Sequence, residues 1–166
     1  MLIRHLRARL ATLAFCAFVP FFASTDAAAE NLVGSPVIFR SGDWTVHRTK
    51  DAMTDKNLCT AIYKNDYGIQ LGSHSLAIAV ADGLKSVTLR FDDDSAREMR
   101  LPKRSEHAVS AINIEGADFE RVQQSSRLRY RVLTGTDNVV EGDIDLSGAK
   151  DAYRNIESGC LGEPIS

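Results

Sequence analysis

Residues 127–146 constrain the fold more than any other stretch. Leu128, Tyr130 and Val132 alternate with Arg127, Arg129 and Arg131. Beyond the loop Thr134-Gly135-Thr136-Asp137-Asn138, Val140, Gly142, Ile144 and Leu146 alternate with Glu141, Asp143 and Asp145. A period of two is the pattern of a strand that buries one face. Pairing Leu133 with Val139 sets Arg131 against Glu141, Arg129 against Asp143 and Arg127 against Asp145, a ladder of opposite charges on the solvent side. A slip of one residue would turn every arginine into the core, so the hairpin specifies its own register.

The N-terminus reads as a processing segment. Arg4, Arg7 and Arg9 precede an apolar run from Leu10 to Ala23, and Ala27-Ala28-Ala29 supplies small residues for a cut before Glu30. That is the layout of a secretory signal peptide. A membrane anchor would need roughly 20 continuous apolar residues, and this run is shorter and carries Pro20. Cys16 follows Phe15 where a lipidated cysteine follows a small residue, so Cys16 is assigned to the discarded segment. The division expected is a cleaved signal peptide at 1–29, a loosely held arm at 30–40, one β-rich domain at 41–160 and a tail at 161–166. Cleavage removes three Arg and one Asp and takes the formal net charge from −2 to −4. A mildly acidic chain is not expected to bind nucleic acid. No later stretch is long and apolar enough for a transmembrane helix.

Two cysteines remain after cleavage, Cys59 and Cys160. In an oxidising compartment an isolated pair most simply forms one disulfide. Neither cysteine belongs to a Cys-x-x-Cys redox motif or a short-spaced zinc set.

The rest of the chain reads as short strands on turn signals. Trp44-Thr45-Val46-His47 alternates, with Trp44 and Val46 inward, and Val37-Ile38-Phe39 can add an edge strand before it. Leu58–Tyr63 is the next strand, followed by turn chemistry at Asn65-Asp66-Tyr67-Gly68. Leu76–Ala81 is apolar on both faces and reads as a central strand. Asp82-Gly83 is a hairpin signal. Val87, Leu89 and Phe91 form a half-buried strand. Residues 97–101 are expected to return against it, with Met99 facing Leu89 and Glu98 facing Arg90. Residues 102–105 read as loop, Val109–Ile114 as strand and Asp118–Gln124 as a short helix. Ser147 is positioned to cap a last helix that presents Ala149, Ala152, Tyr153, Ile156 and Cys160 on one face and stops at Gly159. Strands without regular strand–helix alternation predict an all-β fold, an antiparallel sandwich or barrel, with this C-terminal helix packed on the sheet.

Candidate chemistry is sparse. Trp44 can stack on a sugar, but a lone Trp on an alternating strand is more often a core anchor. Asp51 and Asp55 can anchor a ligand or accept backbone hydrogen bonds in a turn. Tyr67 would join a ligand face if exposed. Arg127, Arg129 and Arg131 can hold phosphate, sulphated sugar or lipid A, or serve only as the charge ladder. Asp92-Asp93-Asp94 lacks the alternating ligands and distal acid of a calcium loop. His47, His74 and His107 have no metal-ligand neighbour at helical spacing, and no nucleophile motif is present. No catalytic residue, cofactor or metal is therefore assigned.

Gly42-Asp43-Trp44-Thr45-Val46, the Asp51–Asp55 turn, Cys59-Thr60-Ala61 and Asp145-Leu146-Ser147-Gly148 with Cys160 resemble small exported proteobacterial proteins of the invasion-associated locus B type. They are also similar to periplasmic accessory proteins with a Trp strand and an Asp-x-x-x-Asp turn. The resemblance spans most of 42–160 through short motifs. It implies a β-sandwich and brings no catalytic residues with it. The function expected is that of a periplasmic or secreted, non-enzymatic envelope protein that binds a host or envelope partner, with invasion or secretion as its setting. The alternatives are a small periplasmic hydrolase with a loop-assembled site and a glycan or small-ligand module.

Overall fold

The computed structural model describes residues 32–165. The signal peptide read at 1–29 lies outside the described residues.

The elements follow in the order β1 (Val37–Ser41), β2 (Trp44–Lys50), β3 (Asn57–Tyr63), β4 (Asp66–Leu71), β5 (Ser75–Ala79) and β6 (Ser86–Phe91). After them come α1 (Arg104–Val109), β7 (Ala111–Glu115), α2 (Ala117–Gln124), β8 (Arg127–Leu133), β9 (Val139–Asp145) and α3 (Ala149–Glu157). Two antiparallel sheets result, a large one ordered β1-β2-β3-β4-β5-β7 and a small one ordered β6-β8-β9. Trp44, Leu71, Leu76, Ile78, Ile112 and Ile114 of the large sheet share one core with Phe91, Leu128 and Ile144 of the small sheet and with Ala152 and Ile156 of α3. This is the mainly antiparallel, sandwich-like fold with a packed C-terminal helix that the sequence predicts.

Two contacts bind the sheets where the ends of β2 and β3 meet the end of β9. The Trp44 indole Nε1 donates to the Asp145 carbonyl at 3.1 Å, and the Asp145 amide donates to the Tyr63 hydroxyl at 3.0 Å. Trp44 is wholly buried, so its one polar group needs a buried partner, and the backbone of β9 supplies it. On the other side, α3 buries Ala149, Ala152 and Ile156 and rests against β1, β2 and β3. Cys59 and Cys160 are brought together, 101 residues apart in sequence, with Cα atoms 6.1 Å apart, a spacing that suits a disulfide. Arg48 Nη1 donates to the carbonyls of Cys160 and Gly162, and the Ile165 amide donates to Val37, so the tail runs back along β1.

Several boundaries differ from those read in the sequence. The second half of the 30–40 arm is the edge strand β1. Lys64 and Asn65, with φ of 48° and 60°, make the two-residue hairpin turn, and Asp66, Tyr67 and Gly68 already belong to β4. Ala77 and Ala79 are not buried, so β5 has one core face rather than two. Asp82-Gly83 turns the chain sharply but passes it from one sheet to the other, because β6 pairs with β8 and not with β5. Residues 97–101 contribute only a single bridge, Val87 to Arg100, which displaces the expected register by one residue and leaves Met99 and Leu101 exposed. Residues 104 and 105 open α1. Ser147 is not the cap of α3; its amide is bonded by the Asp145 carboxylate, and Gly148 stands at the N-cap with φ +88°. A Cβ at Gly148 would strike the backbone of Ser41, and one at Gly42 would strike Ser147. The two glycines let the β1–β2 turn and the start of α3 meet backbone to backbone.

Candidate functional site

The residues singled out in the sequence do not converge. Trp44 has no exposed surface and packs its ring 5.2 Å from that of Tyr63, so it is unavailable to stack on a ligand. Tyr67 is half-buried elsewhere, 6.2 Å from the His47 ring. Asp51 Oδ1 accepts the amides of Met53 and Thr54, both at 2.8 Å, and these bonds hold its carboxyl below the usual range. Asp55 closes the same turn at φ 55°. The pair orders the β2–β3 connection. His47 is buried against Ser35, whose hydroxyl lies 3.1 Å from Nδ1. His74 and His107 are exposed on separate segments. Among the described residues, no group of three His, Cys, Asp or Glu is arranged to hold a metal ion.

The arginine row gives the most informative geometry. The register of β8 on β9 is the one read from the sequence: Arg127 opposite Asp145, Arg129 opposite Asp143 and Arg131 opposite Glu141. The side chains choose differently. Arg131 pairs straight across with Glu141. Arg127 reaches diagonally, its Nε 2.8 and 2.9 Å from the Asp143 oxygens, and the pair holds the Asp143 carboxyl below the usual range. Arg129 turns the other way, onto the Asp92 carbonyl and, at 3.5 Å, the Asp93 carboxylate.

Arg129 turns because of β6, which lies on its other side. Arg90 is its direct partner in the β6–β8 register. Like charges placed opposite one another destabilise a sheet unless something takes up the field. Here the carbonyls of the 92–94 turn do so: Arg90 Nε donates to the Asp94 carbonyl at 2.7 Å and Nη2 to that of Asp93 at 3.4 Å. Arg90 makes no ion pair among the described residues, and Arg129 Nε is buried without a hydrogen-bond partner. The pair, with Arg131, Tyr130, Gly142 and the carboxylates Glu141 and Asp143, lines an open depression of about 510 Å³ on the outer face of the small sheet. Tyr130 lies over Gly142, where any Cβ would run into its ring.

The acid run at 92–94 serves this arrangement. Asp92 Oδ1 accepts the amides of Ser126 and Arg127 at 2.8 and 3.0 Å, bonds that lower its pKa, with the Ser126 amide first in weight. Asp94 pairs with Arg121, and only Asp93 projects fully into solvent. The run therefore acts as a receiver for arginines and amides, and its carboxylates do not converge on a cation.

One charged residue of consequence was not read from the sequence. Glu106 on α1 is completely buried. Its carboxylate takes Arg100 in a two-pronged pair at 2.7 Å for each bond, and accepts the amides of Lys103 and Asn113 at 2.7 and 2.8 Å. Burial alone would raise its pKa, but the guanidinium and the two amides outweigh that and hold it at about 2. The site is structural, since all its acceptor capacity is spent within the fold. Glu three residues after the helix start was a usable signal, but Lys103 stands where a capping Ser, Thr, Asp or Asn would have marked it.

No family model matches the chain, and no curated protein matches it. Among solved structures, it is similar to the crystal structure of invasion associated protein b from Bartonella henselae. The two are 11% identical, the match covers 74% of this chain and 96% of that one, and the TM-score is 0.41. The likeness is a weak one, at the level of fold.

Proposed function

We propose that the chain is an exported, non-enzymatic protein that works in the periplasm or outside the cell. There it binds an envelope component or a partner protein through the outer face of the small sheet. The leader and the single cysteine pair support the compartment. The observation that carries the binding role is the Arg90–Arg129 pair: two arginines opposite one another in the register at an open depression, Arg90 without a carboxylate partner among the described residues, while Glu141 and Asp143 on the far side of the depression are already engaged by Arg131 and Arg127. Such a pair favours an anionic group such as a phosphate, a sulphate or an acidic side chain. A part in invasion or secretion is the finer form of this reading and rests on the sequence motifs.

The test is binding of the exported chain to envelope extract separated into lipid, glycan and protein fractions. One fraction is expected to bind saturably, and Arg90→Glu with Arg129→Glu should weaken that binding at least tenfold. Binding left intact by the double variant, or robust turnover of a defined substrate, would contradict the proposal.

A further inference from the structure

Four strand edges bound the two sheets, and each is met in part by other segments of the chain. At β1, the Ile165 amide donates to the Val37 carbonyl. At β7, the Glu106 carboxylate takes the outward amide of Asn113. At β6, Val87 exchanges two 2.9 Å backbone bonds with Arg100, and Leu89 accepts the Arg97 amide. The fourth edge is β9. The bonds from Thr134 to Asn138 and from Leu146 to Ser126 fix the phase of the β8–β9 ladder, so even-numbered residues of β9 bond to β8. Val139, Glu141, Asp143 and Asp145 therefore direct their amides and carbonyls outward. Asp145 is taken up by Trp44 and Tyr63. Among the described residues, the outward backbone groups of the other three have no partner, and Val139 and Val140 leave apolar surface beside them.

We propose that the Val139–Asp143 edge receives an extended segment of a partner protein with basic side chains at alternate positions, adding a fourth strand to the small sheet. An open edge is a ready template for such addition, with backbone bonds giving affinity and alternate side chains giving selectivity. The charge pattern selects the occupant. On the outer face a row of arginines on β8 is followed by a row of carboxylates on β9. A third row of basic residues continues the alternation. A second copy does not, because the antiparallel register that pairs all three open residues sets Glu141 against Glu141 of the other copy.

The probe is a capped octapeptide alternating Val and Lys, added to the exported chain and followed by amide-resolved NMR. Saturable binding is expected, with exchange at the 139, 141 and 143 amides slowed at least tenfold. Glu141→Pro removes the central outward amide without breaking a bond inside the sheet, and should weaken binding at least tenfold at an unchanged melting temperature. Glu141→Gln, which keeps that amide, should weaken it only a few-fold. The Arg90→Glu, Arg129→Glu variant, which makes this face more acidic, should bind the peptide no more weakly, which separates this edge from the arginine depression. Absence of saturable binding would overturn the proposal. So would equal binding of a Val/Glu octapeptide, indifference to Glu141→Pro, or a dimer that protects the same three amides.

Discussion

The two sheets are finished by different means. The large sheet is the more covered of the two: α3 and the tail lie against it, Cys59 and Cys160 meet where the helix end reaches β3, and a buried carboxylate takes one outward amide of its β7 edge. The small sheet is finished with charge. Its outer face is held by exposed ion pairs and turn carbonyls, and its β9 edge is closed only at Asp145. Buried, fully satisfied groups stabilise strongly, whereas exposed pairs contribute little and stay available to a partner. Stability is thus concentrated in one sheet, and the other keeps the open groups that the proposed partners would use.

Substitutions can break this division, and the large effects should fall on the covered side. Replacing both Cys59 and Cys160 with Ser releases a loop of about a hundred residues and should cost up to about 4–5 kcal/mol in denaturant unfolding. Glu106→Ala leaves Arg100 and two amides without their acceptor and should cost about 3–5 kcal/mol. The same residue sets an acid limit. Its pKa is about 2 in the fold against an ordinary 4.5. Its contribution is therefore fully present above pH 4.5 and is lost as pH falls toward 2, about 3 kcal/mol over that window. A pH series of urea midpoints reads this directly, and Glu106→Gln should flatten it. Gly148→Ala, which forces a Cβ into Ser41, should cost about 1–3 kcal/mol in thermal unfolding. Trp44→Phe strands the Asp145 carbonyl and should cost about 1–3 kcal/mol. Arg131→Gln on the charged sheet should change stability by less than about 1 kcal/mol.

The β8–β9 register was legible because residues 127–132 and 140–145 alternate without interruption and their charges match only one way. The segment 97–101 was not. Its alternation is too short to fix a register, and Arg100 is drawn to the buried Glu106 six residues on. β4 was hidden by composition, since Asp66-Tyr67-Gly68 looks like a turn while the turn itself is Lys64-Asn65. The candidate site was half legible. The arginine row could be read, but the Arg90–Arg129 pair could not, because it joins strands separated by two helices and β7. That Trp44 faces inward follows from its alternation, whereas its bond to Asp145 depends on a second sheet that no local pattern announces. The contacts that occupy parts of the other edges, and the run of open groups on β9, are likewise properties of the assembled fold.

Native-state hydrogen exchange on the free, disulfide-bonded chain is the most direct measurement of the division between a covered and an open sheet. Fast exchange is expected at the outward amides of Val139, Glu141 and Asp143, and slow exchange at Asp145, Val87 and Asn113. Strong protection of all three open-edge amides in the free monomer would contradict that division.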